Sequence, residues 1–374
     1  MKKRILAGIE QLERMDNLRR LSIPSPSHLS LSTNDYMGIS QNQQLYKDFI
    51  EQNSIDGTSM GSCSSRLLTG NTEAMELLER DLKDLYQREA ALLFNSGYHA
   101  NIGILPAITT KRDLIIADQY VHASIIDGIQ LSKAKSWRFR HQNYDQLEDY
   151  LIKYRNDYDQ VILVVESLYS MDGDYADLHR LVELKNRYDC LLYVDEAHTF
   201  GGVGKRGLGL GEQLGLIKSI DFIVGTFGKA VASQGAFLVC DDIYRTWLIQ
   251  KSRSLIYTTS LPEITSLWNR HVIHYLTQQE EARDRLAALA SWFSRELGIE
   301  HQSYIIPYIV GSNKRAIALS NFLETRNISC LPIRYPTVPQ ETARLRFSLT
   351  AEMKMEQLVS IIEAIDTFNL NMVP

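Results

Sequence analysis

The chain has 374 residues, of which 44% are hydrophobic and 23% are charged, and its formal net charge is -5. These proportions are ordinary for a globular protein, and the length suffices for one large domain and a smaller one. Because the net charge is negative and no long Lys/Arg run occurs, the sequence gives no electrostatic reason to expect nucleic acid or an anionic membrane as a partner.

Cysteines and terminal segments restrict the class of protein further. The four cysteines form no C-x-x-C pair, so neither a disulfide framework nor a zinc site is expected. The basic start is followed by Glu10 and Glu13 rather than by the apolar core of a signal peptide. No stretch approaches the roughly 18 apolar residues of a membrane span. The sequence therefore predicts a cytoplasmic protein.

Short apolar runs alternate with amphipathic stretches through the first two thirds of the chain. Apolar residues at spacings of three and four predict helices at Glu73–Arg88 and Leu178–Tyr188. Runs without polar alternation are typical of strands buried on both faces. These runs are Ala91–Phe94, Leu114–Ala117, Val161–Glu166, Leu191–Asp195, Phe222–Thr226 and Ala236–Cys240. The alternation of strand and helix predicts an α/β domain with a mainly parallel sheet.

The last part of the chain has a different pattern. Residues Pro262–Phe293 predict one long helix, and short strands are expected at Tyr304–Val310 and Arg344–Leu349. This mixture predicts a smaller α+β unit at the C-terminal end. The expected parts are an N-terminal segment that packs with the small domain (1–45), a large domain (46–262) and a C-terminal small domain (263–374).

Polar residues follow four of the predicted strands. They are Asn95-Ser96-Gly97, Glu166-Ser167, Asp195-Glu196-Ala197-His198 and Thr226-Phe227-Gly228-Lys229. In an open parallel sheet, ligands bind outside the carboxyl ends of the strands. We therefore expect these segments to face one crevice.

Short motifs near this crevice allow other interpretations. Residues 195–198 match a helicase box, but the phosphate loop that a helicase needs is absent. Residues 202–207 match G-x-G-x-x-G with Asp221 downstream, but the glycines do not follow a strand directly, so a loop is the better interpretation. His122 and His198, with the nearby Asp195, lack the ligand spacing of a metal site, and we expect no metal.

Lys229 directly follows a buried strand, which is an unusual position for a lysine. An amine partly removed from water is neutral and nucleophilic near pH 7. Asp195, at the end of the preceding strand, would keep a pyridine nitrogen protonated, as the ring of pyridoxal 5'-phosphate (PLP) requires when it acts as an electron sink. A close pair of unit charges at an effective dielectric constant of about 20 interacts by several kcal/mol. Together, the two residues predict a PLP site.

Ordered segments along most of the chain resemble those of the α-oxoamine synthases, a family of fold-type-I PLP enzymes. The matching segments are STNDYMG (32–38), SRLLTGN (65–71), NSGYHAN (95–101), Asp118 with HAS (122–124), Glu166 with SMDGD (170–174), VDEAH (194–198), TFGK (226–229), YTTSLP (257–262) and RLR (344–346). The resemblance implies the PLP-dependent transferase fold type I, with a large, mainly parallel domain and a smaller α+β domain. It also implies a homodimer with shared active sites.

The resemblance implies roles around the cofactor ring. Lys229 would bind the PLP aldehyde covalently and later abstract the α-proton of the substrate. Asp195 would pair with the pyridinium nitrogen, while His198 and Ser170 would hydrogen-bond the phenolic oxygen. His122 would stack on the ring; a buried, hydrogen-bonded structural histidine is the alternative.

The phosphate of the cofactor would be held by a separate group of residues. Backbone amides of Gly97 and Tyr98 would open a helix, and exposed N–H groups together with the helix dipole favour an anion there. Thr226 would add a hydroxyl group. Thr258 or Thr259 would reach the phosphate from a second subunit.

The implied reaction is the decarboxylative condensation of an amino acid with an acyl thioester. Arg346 would bind the amino-acid carboxylate by a two-pronged contact, with Asn34 nearby; a surface ion pair is the alternative for Arg346. The first expectation is L-alanine with a pimeloyl thioester of CoA or of a carrier protein. Alternatives are glycine with acetyl-CoA or succinyl-CoA, serine with a long acyl thioester, and a non-catalytic PLP-fold binding protein.

The chain departs from the usual family pattern at three places. Cys63-Ser64 stand where Gly-Gly is usual, and Met75 stands about where many members have His. Glu196 stands where a second Asp is common. None of these departures alters Lys229 or Asp195, so they bear on the choice of substrate within the family.

Overall fold

The structure of the protein is a computed structural model that describes residues 1–15, 17–19, 21, 23–53, 57–301 and 303–371. In chain order, the strands are β1 Leu29–Ser30, β2 Ala90–Phe94, β3 Leu114–Asp118, β4 Lys135–Phe139, β5 Val161–Glu166, β6 Leu191–Asp195, β7 Phe222–Thr226, β8 Ala236–Cys240, β9 Ile305–Gly311, β10 Ile328–Ser329, β11 Pro332–Ile333 and β12 Ala343–Ser348. The α-helices are α1 Lys2–Arg14, α2 Gln43–Gln52, α3 Glu73–Tyr86, α4 Gly97–Ile108, α5 Ala123–Leu131, α6 Tyr144–Tyr154, α7 Leu178–Arg187, α8 Leu210–Gln213, α9 Asp242–Lys251, α10 Arg253–Ile256, α11 Glu263–Thr277, α12 Glu280–Glu296, α13 Asn313–Glu324 and α14 Met355–Asn371. Within the described ranges, no helix is both long enough and apolar enough to cross a membrane.

The chain divides into two compact units. The larger unit comprises Asp35–Ser170 and Asp174–Arg285, and the smaller unit comprises Met1–Asn34, Met171–Gly173 and Leu286–Pro374. The boundary expected at residue 262 therefore falls inside the larger unit. The reason is that α11 packs on α3 and α2, so it belongs to the larger unit rather than to the C-terminal one.

The larger unit contains a seven-stranded sheet with the order β2-β8-β7-β6-β5-β3-β4. Only β8 runs against its neighbours, and the contiguous strands from β7 to β4 pair in parallel. The predicted, mainly parallel sheet is therefore confirmed. Sequence reasoning missed β4, because this edge strand carries exposed polar side chains instead of a buried apolar run.

The predicted helix at Glu73–Arg88 is observed as α3. It begins after Thr72, whose hydroxyl oxygen accepts a hydrogen bond from the Met75 amide at 3.4 Å. Its core face includes Leu78 and Leu82, both fully buried, and Met75, which is 1% exposed. Met75 therefore acts as a core residue of the larger unit.

The single long helix expected at Pro262–Phe293 is instead two helices, α11 and α12. The break has a polar cause that the apolar pattern does not reveal. The buried guanidinium of Arg283 donates a hydrogen bond of 2.6 Å to the Leu276 carbonyl, near the end of α11. The same carbonyl oxygen accepts from the Gln279 amide at 3.0 Å, so Arg283 adds a second donor at the end of α11.

The smaller unit contains an antiparallel three-stranded sheet with the order β11-β12-β9 and a parallel pair, β1 with β10. The strands expected at Tyr304–Val310 and Arg344–Leu349 correspond to β9 and β12. All six residues of β12 are buried. Successive side chains of a strand point to opposite faces, so Arg344 and Arg346 share one face while Leu345 and Phe347 share the other.

The strand order of the larger unit locates a crevice. The chain goes outward from β3 to the edge strand β4, returns to β5, and then continues in the other direction through β6 and β7. Strand order thus reverses between β3 and β5. Ligands of open α/β sheets bind at such a reversal, outside the carboxyl ends of the strands.

Candidate active site

A cavity of about 150 Å³ lies at the carboxyl ends of β5, β6 and β7. Seven residues predicted from the sequence line it together: Gly97, Tyr98, His122, Asp195, His198, Thr226 and Lys229. Four further lining residues are Asn101, Ser124, Glu166 and Ala197. The cavity combines an amine, two carboxyl groups, two imidazoles and the first turn of α4.

Lys229 is half-buried in a tight turn that follows β7. The Ala232 amide donates a hydrogen bond to the Lys229 carbonyl at 2.8 Å. The Thr226 hydroxyl donates to the Gly235 carbonyl at 3.0 Å and accepts from the Gly228 amide at 3.3 Å. Thr226 therefore holds the backbone turn that presents the lysine to the cavity.

Asp195 is the last residue of β6 and is 5% exposed. The side-chain amide of Asn101 donates to its Oδ2 and the Ala197 backbone amide donates to its Oδ1, both at 2.9 Å. Asn101 also donates to the Ser124 hydroxyl at 2.9 Å and accepts from the Tyr193 hydroxyl at 2.5 Å. This network fixes the carboxylate in one orientation and provides a donor for each oxygen.

His122 precedes α5 and is exposed at the wall of the cavity. Its Nδ1 accepts a hydrogen bond from the Ser124 amide at 3.2 Å and lies 2.7 Å from the Ser124 hydroxyl. Removal of the packed part of the ring from water lowers the pKa of His122, and the charge of Lys229 lowers it further, against the opposing effect of Asp195. The imidazole is therefore neutral at pH 7. Of the two sequence interpretations, a deeply buried histidine does not describe it.

The first turn of α4 borders the cavity. Ser96 caps the helix, and its hydroxyl oxygen accepts a hydrogen bond from the His99 amide at 3.2 Å. The amides of Gly97 and Tyr98 belong to the first turn and have no acceptor within the helix. A Cβ atom on Gly97 would lie 3.8 Å from Thr226, so this turn is adjacent to the end of β7. Such a helix start favours a bound anion.

His198 lies in the turn after β6 and is 5% exposed. Its Nδ1 lies 2.7 Å from the hydroxyl oxygen of Tyr36, which is fully buried. This contact fixes the orientation of the imidazole ring. Tyr36 belongs to the family-like segment 32–38, but no role was predicted for it, because it lies 162 residues before His198 and no local pattern signals the contact.

Glu196 is fully buried and serves the backbone rather than the cavity. Its carboxyl oxygens accept hydrogen bonds from the Leu210 amide at 3.0 Å and the Gly211 amide at 2.8 Å. A Cβ atom on Gly209 would lie 2.6 Å from Glu196 Oε2, so only glycine fits beside it. The departure from Asp at this position therefore concerns loop anchoring. The G-x-G-x-x-G match at 202–207 lies in the turns of this loop, as the loop interpretation requires.

Three predicted cofactor residues of the larger unit are not among those that line the cavity. Ser170 lies in the loop after β5. Thr258 lines a second cavity of about 390 Å³, together with His99 and Arg253. The Asn95 side-chain amide lies 3.4 Å from the Thr258 hydroxyl and donates to the Thr259 carbonyl.

The two predicted substrate residues belong to the smaller unit and contact one another. Arg346 is 8% exposed, and its Nη2 donates to the Asn34 side-chain oxygen at 3.1 Å. Its Nη1 donates to the Ser348 hydroxyl at 2.9 Å. These two contacts hold the buried guanidinium in place.

Comparison with known proteins identifies the family. Residues 26–365 match the family described as aminotransferase class I and II. The match covers most of the chain, which therefore belongs to the aminotransferase class I and II family. Its fold is fold type I of the PLP enzymes, as the sequence predicted.

Individual relatives narrow the similarity. A protein of Haemophilus influenzae (strain 86-028NP) named "Putative 8-amino-7-oxononanoate synthase" is 44% identical, over 95% of this chain and 97% of that one. The structure of 8-amino-7-oxononanoate synthase from Francisella tularensis is 29% identical, with a TM-score of 0.79, over 93% of this chain and 100% of that one. Serine palmitoyltransferase from S. paucimobilis with a bound PLP-myriocin aldimine is 28% identical, with a TM-score of 0.87, over 97% of this chain and 96% of that one.

Proposed function

We propose that this protein is an α-oxoamine synthase that uses PLP to join L-alanine to a pimeloyl thioester. The products are 8-amino-7-oxononanoate, an intermediate of biotin biosynthesis, CO2 and the free thiol of CoA or of the carrier protein. One observation carries the proposal: a single cavity holds Lys229 and Asp195 at the ends of neighbouring strands, beside the start of α4. The 44% identity to the H. influenzae relative over nearly the whole chain supports the choice of reaction.

The residues of the cavity fit PLP. The first-turn amides of Gly97 and Tyr98 suit its phosphate, and Thr226 lies beside them. The carboxylate of Asp195, with both oxygens hydrogen-bonded, suits a protonated ring nitrogen. The amine of Lys229 suits the aldehyde. Each of the three chemical groups of the cofactor therefore has a matching partner in one cavity.

When bound, PLP supplies an electron-withdrawing ring that stabilises negative charge on the substrate Cα. Lys229 is the base that moves the proton at this carbon. Asp195 would keep the proton on the ring nitrogen, and the neutral imidazole of His122 would hold the face of the ring. His198 and Ser170 would hydrogen-bond the phenolic oxygen.

Substrate binding is assigned to residues outside the cavity. Arg346 binds the carboxylate of the amino acid, with Asn34 beside it, and the contacts with Asn34 and Ser348 orient the guanidinium for a two-pronged contact. The acyl group arrives as a thioester of CoA or of a carrier protein. The enzyme acts in the cytosol as a homodimer in which Thr258 or Thr259 of a second copy reaches the phosphate.

A second candidate reaction is the condensation of serine with a long acyl thioester. It is favoured by the TM-score of 0.87 to serine palmitoyltransferase over 97% of this chain. The identity to that protein is 28%, compared with 44% to the H. influenzae relative. For this reason we place alanine first.

The test is a substrate matrix. Purified protein loaded with PLP is mixed with L-alanine, glycine or L-serine, each labelled at the carboxyl carbon, and with pimeloyl, acetyl, succinyl or palmitoyl thioesters on CoA; pimeloyl carrier protein is also included. We expect labelled CO2 and 8-amino-7-oxononanoate from alanine with a pimeloyl thioester. Product from serine and palmitoyl-CoA alone would support the second candidate, and no labelled CO2 from any pair would contradict both.

A matched pair of lysine variants tests the assignment of the base. Lys229→Ala should lower turnover by about 10²- to 10⁴-fold or more, because a positioned base typically contributes that much. Lys218→Ala removes an exposed lysine of the same unit and should leave turnover unchanged. Near-normal turnover of Lys229→Ala would overturn the assignment.

A further inference from the structure

Two buried carboxyl groups stand side by side at the floor of the cavity. Glu166 ends β5, Asp195 ends β6, and the two residues are direct partners in the parallel register. They are 3% and 5% exposed, and both line the same cavity. Neighbouring strands are about 4.8 Å apart, and paired residues point to the same face. The two carboxyl groups are therefore neighbours in a poorly solvated place.

Hydrogen bonds are divided unequally between the two groups. Asp195 accepts one at each oxygen, from Asn101 and from Ala197. Glu166 receives the backbone amide of His122, while its Oε1 is buried and has no hydrogen-bond partner among the described residues. An ionised oxygen left in this way is costly, whereas a protonated carboxyl group tolerates it better. The contacts therefore favour charge on Asp195 and a proton on Glu166.

The charged and titratable groups around Glu166 favour the same arrangement. They come from several elements: Asp195 on β6, Lys229 after β7, Asp118 on β3, His122 before α5 and Tyr169 after β5. Burial is the largest influence and, with the charge of Asp195, raises the pKa of Glu166 to about 8, although Lys229 opposes this.

We propose that Glu166 is a positioning residue that holds the one proton of the Glu166–Asp195 pair at neutral pH, so that the pair carries a single negative charge on Asp195. The position of the proton follows from the chain alone, whereas its purpose rests on the function proposed above. A second negative charge beside Lys229 would favour its ammonium form, which is neither a base nor a nucleophile. Glu166 thus limits the charge of the site to what one ring cation needs.

Infrared difference spectroscopy of the full chain without PLP tests the proton directly. Wild type minus Glu166→Gln at pH 7 should contain one C=O band of a protonated carboxylic acid, and this band should disappear as the pH rises through about 8. In Asp195→Asn, the same band of Glu166 should disappear at a lower pH than in wild type, because the neighbouring negative charge is gone. A difference spectrum without this band would overturn the proposal.

Glu79→Gln is the matched control. Glu79 is 4% exposed, nearly as buried as Glu166, but its carboxylate contacts the guanidinium groups of Arg66 and Arg245. Its difference spectrum should lack the carboxylic-acid band. If Glu166→Gln does not fold, ¹³C NMR of wild type with labelled Glu carboxyl carbons replaces it. One resonance should titrate near pH 8, and titration of every Glu below about pH 5 would overturn the proposal.

The affinity for PLP tests the consequence for the site. Glu166→Gln keeps a neutral group of the same shape, so its PLP dissociation constant should stay within about threefold of wild type. Asp195→Asn should raise this constant by about 30-fold or more, since removing one partner of a close charge pair is costly. Equal weakening by both variants would indicate a charged Glu166 and overturn the proposal. Because the spectroscopy uses no substrate, failure of the synthase reaction would leave its result intact.

Discussion

Glu79 and Glu166 are buried glutamates of the larger unit, 4% and 3% exposed, in opposite electrostatic surroundings. Glu79 lies on α3 between two arginines, with Arg245 Nη2 at 3.0 Å and Arg66 also in contact. Glu166 faces another carboxyl group, that of Asp195. Burial alone therefore does not distinguish a structural acid from one in a functional site. The balance of charge does, because the chain itself neutralises the first group, while the second belongs to a cavity that suits a cationic ligand.

The largest effect on stability is expected where the charges are balanced. Glu79→Ala removes the buried carboxylate that contacts Arg66 and Arg245 and the acceptor of the Leu93 amide, at 2.8 Å. We expect the free energy of unfolding to fall by about 3–5 kcal/mol, as when one partner of a buried ion pair is removed. Urea unfolding measures this.

The control for that measurement is Glu76→Ala. Glu76 lies near the same arginines, at 3.5 and 3.9 Å, but its side chain is 51% exposed. Its loss should cost less than about 1 kcal/mol, as for exposed ion pairs. Equal unfolding midpoints for the two variants would remove the distinction between a balanced cluster and its exposed edge.

The next effect concerns the cavity, where one substitution should weaken PLP binding with little change in the free energy of unfolding. Asp195→Asn should weaken PLP binding by about 2–5 kcal/mol, because the ring cation loses its buried partner. The free energy of unfolding without PLP should change by less than about 1 kcal/mol, because the hydrogen bonds lost by the carboxylate are offset by the lower cost of burying a neutral amide. Absorbance titration with PLP and urea unfolding of the unliganded chain measure the two quantities. A large loss of stability without PLP would contradict the view that the cavity is unbalanced.

Sequence reasoning located the cavity because its evidence is local. Buried runs such as Val161–Glu166 mark strands that have apolar contacts on both faces, and the polar residues that follow them necessarily reach one edge of a parallel sheet. Lys229 and Asp195 are visible in this way. The strand Lys135–Phe139 was not predicted, because it lies at the edge of the sheet and its exposed polar side chains form no apolar run.

Other features depend on contacts that the apolar pattern of the sequence does not show. The break between α11 and α12 is stabilised by Arg283, whose spacing from Leu276 looks like continued helix. The support that Asn101 gives to Asp195 crosses from a helix to a strand. The proton on Glu166 depends on strand register, which a single sequence does not contain. Such terms appear only after the fold is known.

Loss of a residue that supports the Asp195 carboxylate should have a smaller effect than loss of the carboxylate charge. Asn101→Ala removes the hydrogen bond to Asp195 and leaves the buried Tyr193 hydroxyl without its acceptor. We expect a loss of about 1–3 kcal/mol in the free energy of unfolding, typical of a buried polar group left unpaired. Tyr193→Phe is the control and should cost about 0.5–1.5 kcal/mol, since it leaves the bond from Asn101 to Asp195 in place. A smaller loss for Asn101→Ala than for Tyr193→Phe would mean that Asn101 does not support the carboxylate.

The smallest expected effect is a pH dependence of stability that differs between His141, which lies between two carboxylates, and Glu166. His141 Nδ1 lies 3.0 Å from Asp118 and its Nε2 lies 2.7 Å from Asp174. Burial opposes its protonation, but the hydrogen bonds with Asp118 and Asp174 outweigh it and raise the pKa of His141 to about 10. A raised pKa means that the stabilisation is complete below the unfolded value of about 6.5 and is lost as the pH rises through about 10. For Glu166 the corresponding loss occurs earlier, between about pH 4.5 and 8.

Unfolding by urea at pH 6, 8 and 10 distinguishes these windows. In a Glu166→Gln background, His141→Gln should be less stable than its parent by about 1–3 kcal/mol at pH 6, because it loses hydrogen bonds between charged groups, and the difference should shrink toward pH 10. The control is His179→Gln, which alters an exposed histidine and should show no such trend. A constant difference from pH 6 to pH 10 would mean that His141 is neutral throughout. Asp118 and Asp174 would then lack a cationic partner at His141, and the negative charge of Asp118, which acts on Glu166, would not be neutralised there.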